Sequence, residues 1–372
     1  MTRYRAVASR HACSPSSKRT KEESVLPEPI KNPDLAPVAD ANAVRQSVPI
    51  IDLGGAEGMD YPETAARVAG EIGDACRDWG FFQIINHGVD HNHLAHVWST
   101  IRAFFALPRA DKRTLNRSSE NPWGYFDREL TKNQRDKKEI FDIGPEVDAG
   151  ALSADPFSGA TPWPESQPSF ETAMRAHFSI CEKLSRTMVE AICLSLGLPP
   201  DRLANSFAPT HTSFLRLNYY PVEDPLSDLP EEAGDGADLG IHHHSDAGAV
   251  TILIQDSVGG LQVFKDGYWY DVEPVDGAFV VNIGDMVQVW SNDTYRAALH
   301  RVQAMSLTDR YSFPFFYNPA YGAIIEPLES ATSPNLYTGI DWGEFRRLRA
   351  DGDYADVGKE VQIADYRVPA AE

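Results

Sequence analysis

Ala249-Val-Thr-Ile-Leu-Ile254, Gly260-Leu-Gln-Val-Phe264, Tyr268-Trp-Tyr-Asp-Val272 and Ala278-Phe-Val-Val-Asn-Ile283 follow one another in close succession, with Gly259-Gly260, Asp266-Gly267 and Asp276-Gly277 between them. Short runs rich in β-branched and aromatic residues, bounded by Gly and Asp-Gly, read as strands joined by tight turns. The same reading extends outward to 213–220, 286–290, 299–304 and 312–317, with Gly284-Asp285 as another turn. Eight such strands predict a double-sheet jelly roll.

Upstream the pattern changes. Val48-Pro-Ile-Ile-Asp-Leu53 is a short β-type run. A helical period follows over 62–79, with Ala65, Val68, Ile72 and Cys76 on one face. Gly80 ends it, and Phe81-Phe-Gln-Ile-Ile-Asn86 reads as a buried strand closed by His87-Gly88. A second helix is expected over 91–105. The segment 121–146 is mixed, and 147–168, rich in Pro, Gly and Ser, reads as a loop. A long amphipathic helix over 170–196 stops at Gly197, before Pro199-Pro200, and one more helix is expected over 342–349. The fold class is therefore mainly β with flanking helices: a jelly-roll core over 206–325, an N-terminal helical and α/β region over 46–205, and a C-terminal extension with a helix over 326–372.

The 372 residues carry a net charge of -20, with 42% apolar and 24% charged residues, an ordinary balance for a soluble domain. Phosphate binding needs a basic surface, so the charge argues against a nucleic-acid partner. It equally argues against docking on anionic membranes, and no apolar run approaches the roughly 18 residues of a spanning helix. Cys13, Cys76, Cys181 and Cys193 form no CxxC. They read as reduced thiols of a reducing compartment and match no usual zinc spacing. The first 21 residues hold six Lys or Arg and no acid. Residues 1–45 read as a disordered tail; an organelle transit peptide is the alternative, against which Pro15, Glu22 and Glu23 weigh. A cytoplasmic monomer is expected.

The chemistry sits in His244-Ser-Asp246, His300 and Arg310-Tyr-Ser312. Two imidazoles and one carboxylate are the facial ligand set that leaves iron(II) positions open for oxygen chemistry. Residues i and i+2 on a strand share a face, so His244 and Asp246 can grip one ion, with His300 arriving from a distant strand. His242 shares that face and competes, but only His244 has the His-x-Asp spacing. By the same period Arg310 and Ser312 form a planar fork plus one donor, a clamp for a carboxylate. A metal with open positions beside such a clamp is the equipment of a 2-oxo-acid-driven oxygenase. The ligands alone would also suit zinc.

These motifs come in a recognisable order, together with Gln255-Asp-Ser-Val-Gly-Gly-Leu-Gln-Val263, Asn282-Ile-Gly-Asp285, Trp290-Ser-Asn-Asp293 and Leu299-His-Arg-Val302. With Gly80-Phe-Phe-Gln-Ile-Ile-Asn-His-Gly-Val89 upstream, the chain over about 46–320 resembles the isopenicillin-N-synthase-like, plant-type branch of the iron(II)/2-oxoglutarate dioxygenases. The resemblance implies a double-stranded β-helix with iron(II) on His244, Asp246 and His300. It places the distal carboxylate of 2-oxoglutarate on Arg310 and Ser312. Asn218 and one of Tyr219 and Tyr220, for which Tyr220 is favoured, would help place the cosubstrate. His87 has a structural role, and Asp256 and Asp285 cap turns. Tyr125, Phe126, Phe141 and Phe316 are candidate walls for a hydrophobic substrate.

The resulting expectation is an oxygenase of secondary metabolism that hydroxylates, desaturates or cyclises a small organic molecule, using O2 and 2-oxoglutarate and supported by ascorbate, with succinate and CO2 as co-products. One rival is an iron oxidase of the same fold that runs without 2-oxoglutarate, in which Arg-x-Ser can hold a substrate carboxylate. Another is a catalytically silent small-molecule binding protein, for which an intact triad and clamp would be superfluous.

Overall fold

The computed structural model describes residues 32–39, 46–55, 60–118, 121–131, 133–146, 159–229, 239–328, 334–352 and 358–369. In chain order the first elements are β1 (Ile50–Asp52), α1 (Pro62–Asp78), β2 (Phe81–Ile85) and α2 (His91–Phe105). Pro62 stands at the start of α1, where its missing N–H costs nothing. Val68, Ile72 and Cys76 turn one face of α1 inward. At Gly80 the chain reverses with φ +65°, and a Cβ there would lie 2.3 Å from the carbonyl oxygen of Arg296; only glycine fits. Asp90 caps α2 by accepting from the amides of Asn92 and His93.

Next come α3 (Arg109–Arg113), β3 (Gly124–Phe126), the small hairpin β4 (Leu130–Thr131) and β5 (Gln134–Arg135), β6 (Glu139–Ile143) and the long α4 (Ser169–Ser195). The core strands are β7 (Phe214–Tyr220), β8 (Leu239–His244), β9 (Val250–Gln255), β10 (Leu261–Lys265), β11 (Tyr268–Asp271) and β12 (Phe279–Ile283). The chain continues through α5 (Asp285–Trp290), β13 (His300–Gln303), β14 (Arg310–Tyr317) and α6 (Trp342–Asp351).

The strands form two sheets of a jelly roll. The larger runs β1-β2-β12-β9-β14-β7-β6-β3, and the smaller β11-β10-β13-β8. All pairs are antiparallel except β1 with β2. The sequence boundary near 205 does not cut the larger sheet: β2 extends it beside β12, and β6 and β3 extend it beside β7. α1 and α2 each pack on α4, and α4 lies on β9 and β14. Phe170, Met174, Met188 and Ile192 of α4 are fully buried in this layer, each worth about 1.5–3 kcal/mol relative to exposure. The opposite, inward face of the larger sheet looks at the smaller one, and the space between them is the site.

Three sequence expectations are corrected here. Residues 286–290 form a helix, not a strand. Met286, Val287, Val289 and Trp290 are all buried, and a short continuous apolar run has no period that separates strand from helix. The eighth core strand is instead β8, hidden in a run of three histidines; β3 and β6 likewise emerge from the mixed segment. Finally, the expected tail to residue 45 is interrupted by a docked stretch. Val38 bridges Trp269, Ala39 donates to the Trp269 carbonyl at 2.8 Å, and the Trp269 indole N–H donates to the Pro33 carbonyl at 2.9 Å. The remainder of 1–45, Cys13 included, and residues 147–158 of the expected loop over 147–168 lie outside the described residues.

Candidate active site

His244 ends β8 and His300 begins β13, and they are direct partners across the ladder. Asp246 lies just past the end of β8, so the pair His244 and Asp246 spans a strand end rather than a strand. The Asp246 Oδ1 atom is 3.7 Å from His244 Nε2 and 3.6 Å from His300 Nε2. Among the described residues this is the one group of three His, Cys, Asp or Glu side chains whose ligand atoms converge, all within 4.8 Å.

Each ligand is aimed by a partner. His244 Nδ1 bonds the His242 carbonyl at 2.8 Å, and His300 Nδ1 the Ala298 carbonyl at 3.2 Å. A carbonyl only accepts, so both Nδ1 atoms carry a proton and both Nε2 atoms face the cluster. Asp246 Oδ2 accepts from Asn282 Nδ2 at 2.7 Å and Thr251 Oγ1 at 2.5 Å, which leaves Oδ1 toward the imidazoles. Burial, helped by His300, pushes His244 down to about 3, so its ring is neutral at physiological pH. Burial opposes the Asp246 charge, but the two histidines and the Asn282 and Thr251 bonds outweigh it and hold its carboxyl below the usual range. Gly284 lets the chain pass close: a Cβ there would stand 2.3 Å from the Gly248 carbonyl oxygen and 2.8 Å from that of Asp246. Neutral imidazoles and an ionised carboxylate suit an iron(II) ion.

Arg310 and Ser312 share β14, and their cross-strand partners lie on the adjacent strands β7 and β9. Arg310 is paired across the ladder with Tyr220, and Ser312 with Asn218 on one side and Gln255 on the other. Arg310 is fully buried. Its Nη1 donates to Ser312 Oγ at 3.3 Å and its Nη2 to Gln255 Oε1 at 3.1 Å, while its carbon stands 4.9 Å over the Tyr220 ring. Arg310 Nε and Asn218 Oδ1 have no partner, and no carboxylate of the described residues pairs with this guanidinium. A buried unneutralised cation is costly. A carboxylate ligand would relieve that cost, which is how 2-oxoglutarate fits.

Of the other histidines, His242 is buried and its Nδ1 meets Asp136 Oδ1 at 3.1 Å, while His243 faces Asp34 at 3.2 Å. Tyr219 turns away from the cavity to donate to Asp309 at 2.7 Å. His87 bonds the Gly277 carbonyl and stacks on Phe279. Of the expected aromatic walls only Phe316 lines the cavity of about 230 Å³ beside the triad. Tyr125 and Phe141 are cross-strand partners buried in the helix-side core, and Phe126 packs against Arg117 at 4.2 Å; strand parity does not say which face meets the helices. The walls are instead Phe81, Trp123, Phe214 and Trp342, the first edge-on to His300 at 5.1 Å.

Sequence reasoning also missed the charges in these walls. Arg117, Lys138 and Arg216 interlock with Glu129 and Asp142 at 2.7–3.3 Å, and α6 adds Arg346 and Arg349. Their spacing in sequence carries no signal, because they come from separate segments of the chain.

The two-sheet fold with a His-Asp-His cluster and a buried arginine clamp defines a non-haem iron oxygenase. Residues 211–319 match the 2OG-Fe(II) oxygenase superfamily, and 48–166 match the N-terminal region described as that of a non-haem dioxygenase in morphine synthesis. Jasmonate-induced oxygenase 2 of Arabidopsis thaliana is 34% identical over 354 residues, 90% of this chain and 88% of that protein. A 1-aminocyclopropane-1-carboxylate oxidase of Musa acuminata is 32% identical, over 83% of this chain and 95% of that protein. The solved structure of JOX2 with 2OG, Fe and JA superposes with a TM-score of 0.71 at 31% identity, covering 94% of this chain and 96% of that one. A full-length Neurospora crassa protein solved with alpha-KG and thymine gives a TM-score of 0.69 at 27% identity, covering 82% of this chain and 97% of that one. The chain belongs to the iron(II)/2-oxoglutarate-dependent oxygenase superfamily, in its plant-type branch. It is a 2-oxoglutarate-dependent dioxygenase acting on a small organic metabolite.

Proposed function

We propose that His244, Asp246 and His300 hold the iron, that Arg310 and Ser312 with Asn218 and Tyr220 seat 2-oxoglutarate, and that the organic substrate is a small carboxylic acid. When bound, iron(II) with 2-oxoglutarate supplies O2 activation, with succinate and CO2 as co-products. The protein's own groups orient and shield: Arg310 fixes the far end of the cosubstrate, and the aromatic walls keep the substrate out of water.

The charge of the lining carries the substrate reading. The whole chain is at -20, yet the cavity shows six cationic side chains against four carboxylates. One of the six, Arg310, belongs to the clamp, and Asp246 belongs to the metal. Among the rest five cations face Glu129, Asp142 and Glu360, with Asp136 a further partner of Lys138 at 3.0 Å, so a small cationic excess stands beside Phe214, Phe316 and Trp342; an apolar body with a carboxylate complements both. A similar oxidase is named for a carboxylate, 1-aminocyclopropane-1-carboxylate, and the similar JOX2 was solved with JA beside 2OG and Fe. A panel of carboxylic acids and their methyl esters, assayed for substrate-dependent succinate release, tests this. Acids should stimulate release and their esters should not; equal stimulation by the esters would overturn the acidic class.

A role in secondary metabolism, a cytoplasmic location and a monomeric state complete the proposal. Cys76, Cys181 and Cys193 are buried free thiols, which favours a reducing compartment. Cell fractionation and sedimentation of the full chain test these points.

A further inference from the structure

We propose that Arg349, on α6, is a positioning residue of the metal centre: its guanidinium fixes the Ser245 carbonyl, which lies between His244 and Asp246. This rests on the reading of those two residues as iron ligands.

Ser245 and Asp246 lie past the end of β8, where the ladder no longer holds the backbone. The neighbouring carbonyls are held by main chain: Asp285 N donates to Asp246 O at 2.8 Å, and Met286 N to Gly248 O at 3.1 Å. The Ser245 carbonyl is held by a side chain 104 residues away, Arg349 Nη2 at 3.0 Å. The same guanidinium is fixed from behind. Its Nη1 pairs with Glu360 at 3.2 Å, and the two side chains are 14% and 15% exposed.

The helix that carries Arg349 is itself anchored. Trp342 is buried and its indole donates to Thr212 Oγ1 at 2.8 Å. Asp341 caps the first turn by accepting from the Glu344 amide. Arg349 therefore joins a fixed helix to the carbonyl of one of the two peptide units that link His244 to Asp246. Partners of this kind, which orient ligating side chains, typically matter about 10–100-fold for metal affinity.

Simple electrostatics makes the opposite forecast. A cation beside a dication repels it, so removing Arg349 for its charge alone would tighten iron binding. The sign of the change therefore separates positioning from charge.

The test is the iron(II) dissociation constant of the full chain, measured anaerobically against a chromophoric chelator, without 2-oxoglutarate or substrate. Arg349→Ala should weaken binding about tenfold or more. Arg349→Lys, which keeps a charged donor, should recover much of the loss. The Michaelis constant for 2-oxoglutarate should stay unchanged in both, because the clamp is elsewhere. If Arg349→Ala does not accumulate as folded protein, Arg349→Gln carries the same comparison at similar length. Affinity within about twofold of the wild type, or tighter, against that tenfold expectation would overturn the proposal. If His244→Ala also leaves iron affinity unchanged, the triad reading itself fails. If His244→Ala weakens binding and Arg349→Ala does not, only the role of Arg349 falls.

Discussion

His244 and His300 are cross-strand partners whose ring centroids stand 4.3 Å apart. Pairing β8 with β13 brings together two histidines that are remote in sequence, and the turn into Asp246 closes the set. Because the ladder fixes both rings, the ligand set survives loss of any one member as a fold but not as a metal site. His244→Ala, Asp246→Ala and His300→Ala should each abolish turnover with melting changed little, as read by metal content and O2 uptake. His242→Ala should keep its iron, since its imidazole is occupied by Asp136; loss of metal equal to that of His244→Ala would put the register in error.

The clamp separates cosubstrate from substrate. Lysine keeps the charge of Arg310 but loses the planar fork. A charged hydrogen bond is worth about 1.5–3 kcal/mol, or roughly ten- to over a hundred-fold in affinity. Arg310→Lys should raise the Michaelis constant for 2-oxoglutarate by that factor and leave that for the organic substrate nearly unchanged. Ser312→Ala should act in the same direction and more mildly. A rise confined to the organic substrate would mean that Arg310 holds the substrate instead.

The docked stretch at 32–39 predicts a truncation effect. A chain starting at residue 40 should melt lower than one starting at residue 32. It loses the backbone bonds to Trp269 and uncovers an indole that is now fully buried. Burial of a large apolar side chain and a few net hydrogen bonds sum to about 2–4 kcal/mol. Coincident melting curves for the two truncations would show that the stretch adds nothing.

His177 on α4 predicts acid sensitivity. It is fully buried against Phe313, with Nδ1 facing His93 at 3.3 Å and Nε2 facing Cys181 at 3.3 Å. Burial, then His93, pushes it down to about 3. A depressed histidine resists protonation only while folded. Its contribution is therefore whole above the unfolded value near 6.5 and drains away as the pH falls toward 3. Between about pH 7.5 and 5 the loss is about 2 kcal/mol. His177→Phe should flatten that part of the stability profile, measured by denaturant unfolding at both pH values; an unchanged slope would assign the acid sensitivity elsewhere.

Much of the site was legible because its signals are local. His-x-Asp and Arg-x-Ser are spacings of two, and a period of two places side chains on one face wherever the backbone is extended. The strands with Gly and Asp-Gly turns were legible for the same reason, as were α1, α2 and α4, whose apolar residues recur at helical spacing. What failed had no local signal. The run 286–290 is buried on nearly every side, so no period distinguishes helix from strand. Tyr125 and Phe141 alternate correctly, but only the packing of α2 and α4 decides that their face is core and not cavity. The sequence by itself determined the jelly roll and the grouping of His244, Asp246 and His300, and it put Arg310 and Ser312 on one face of one strand. Only the tertiary structure decided which arginines of a strongly acidic chain face the cavity, and that Arg349 reaches back to Ser245, because long-range contacts are set by how sheets and helices pack and not by spacing along the chain.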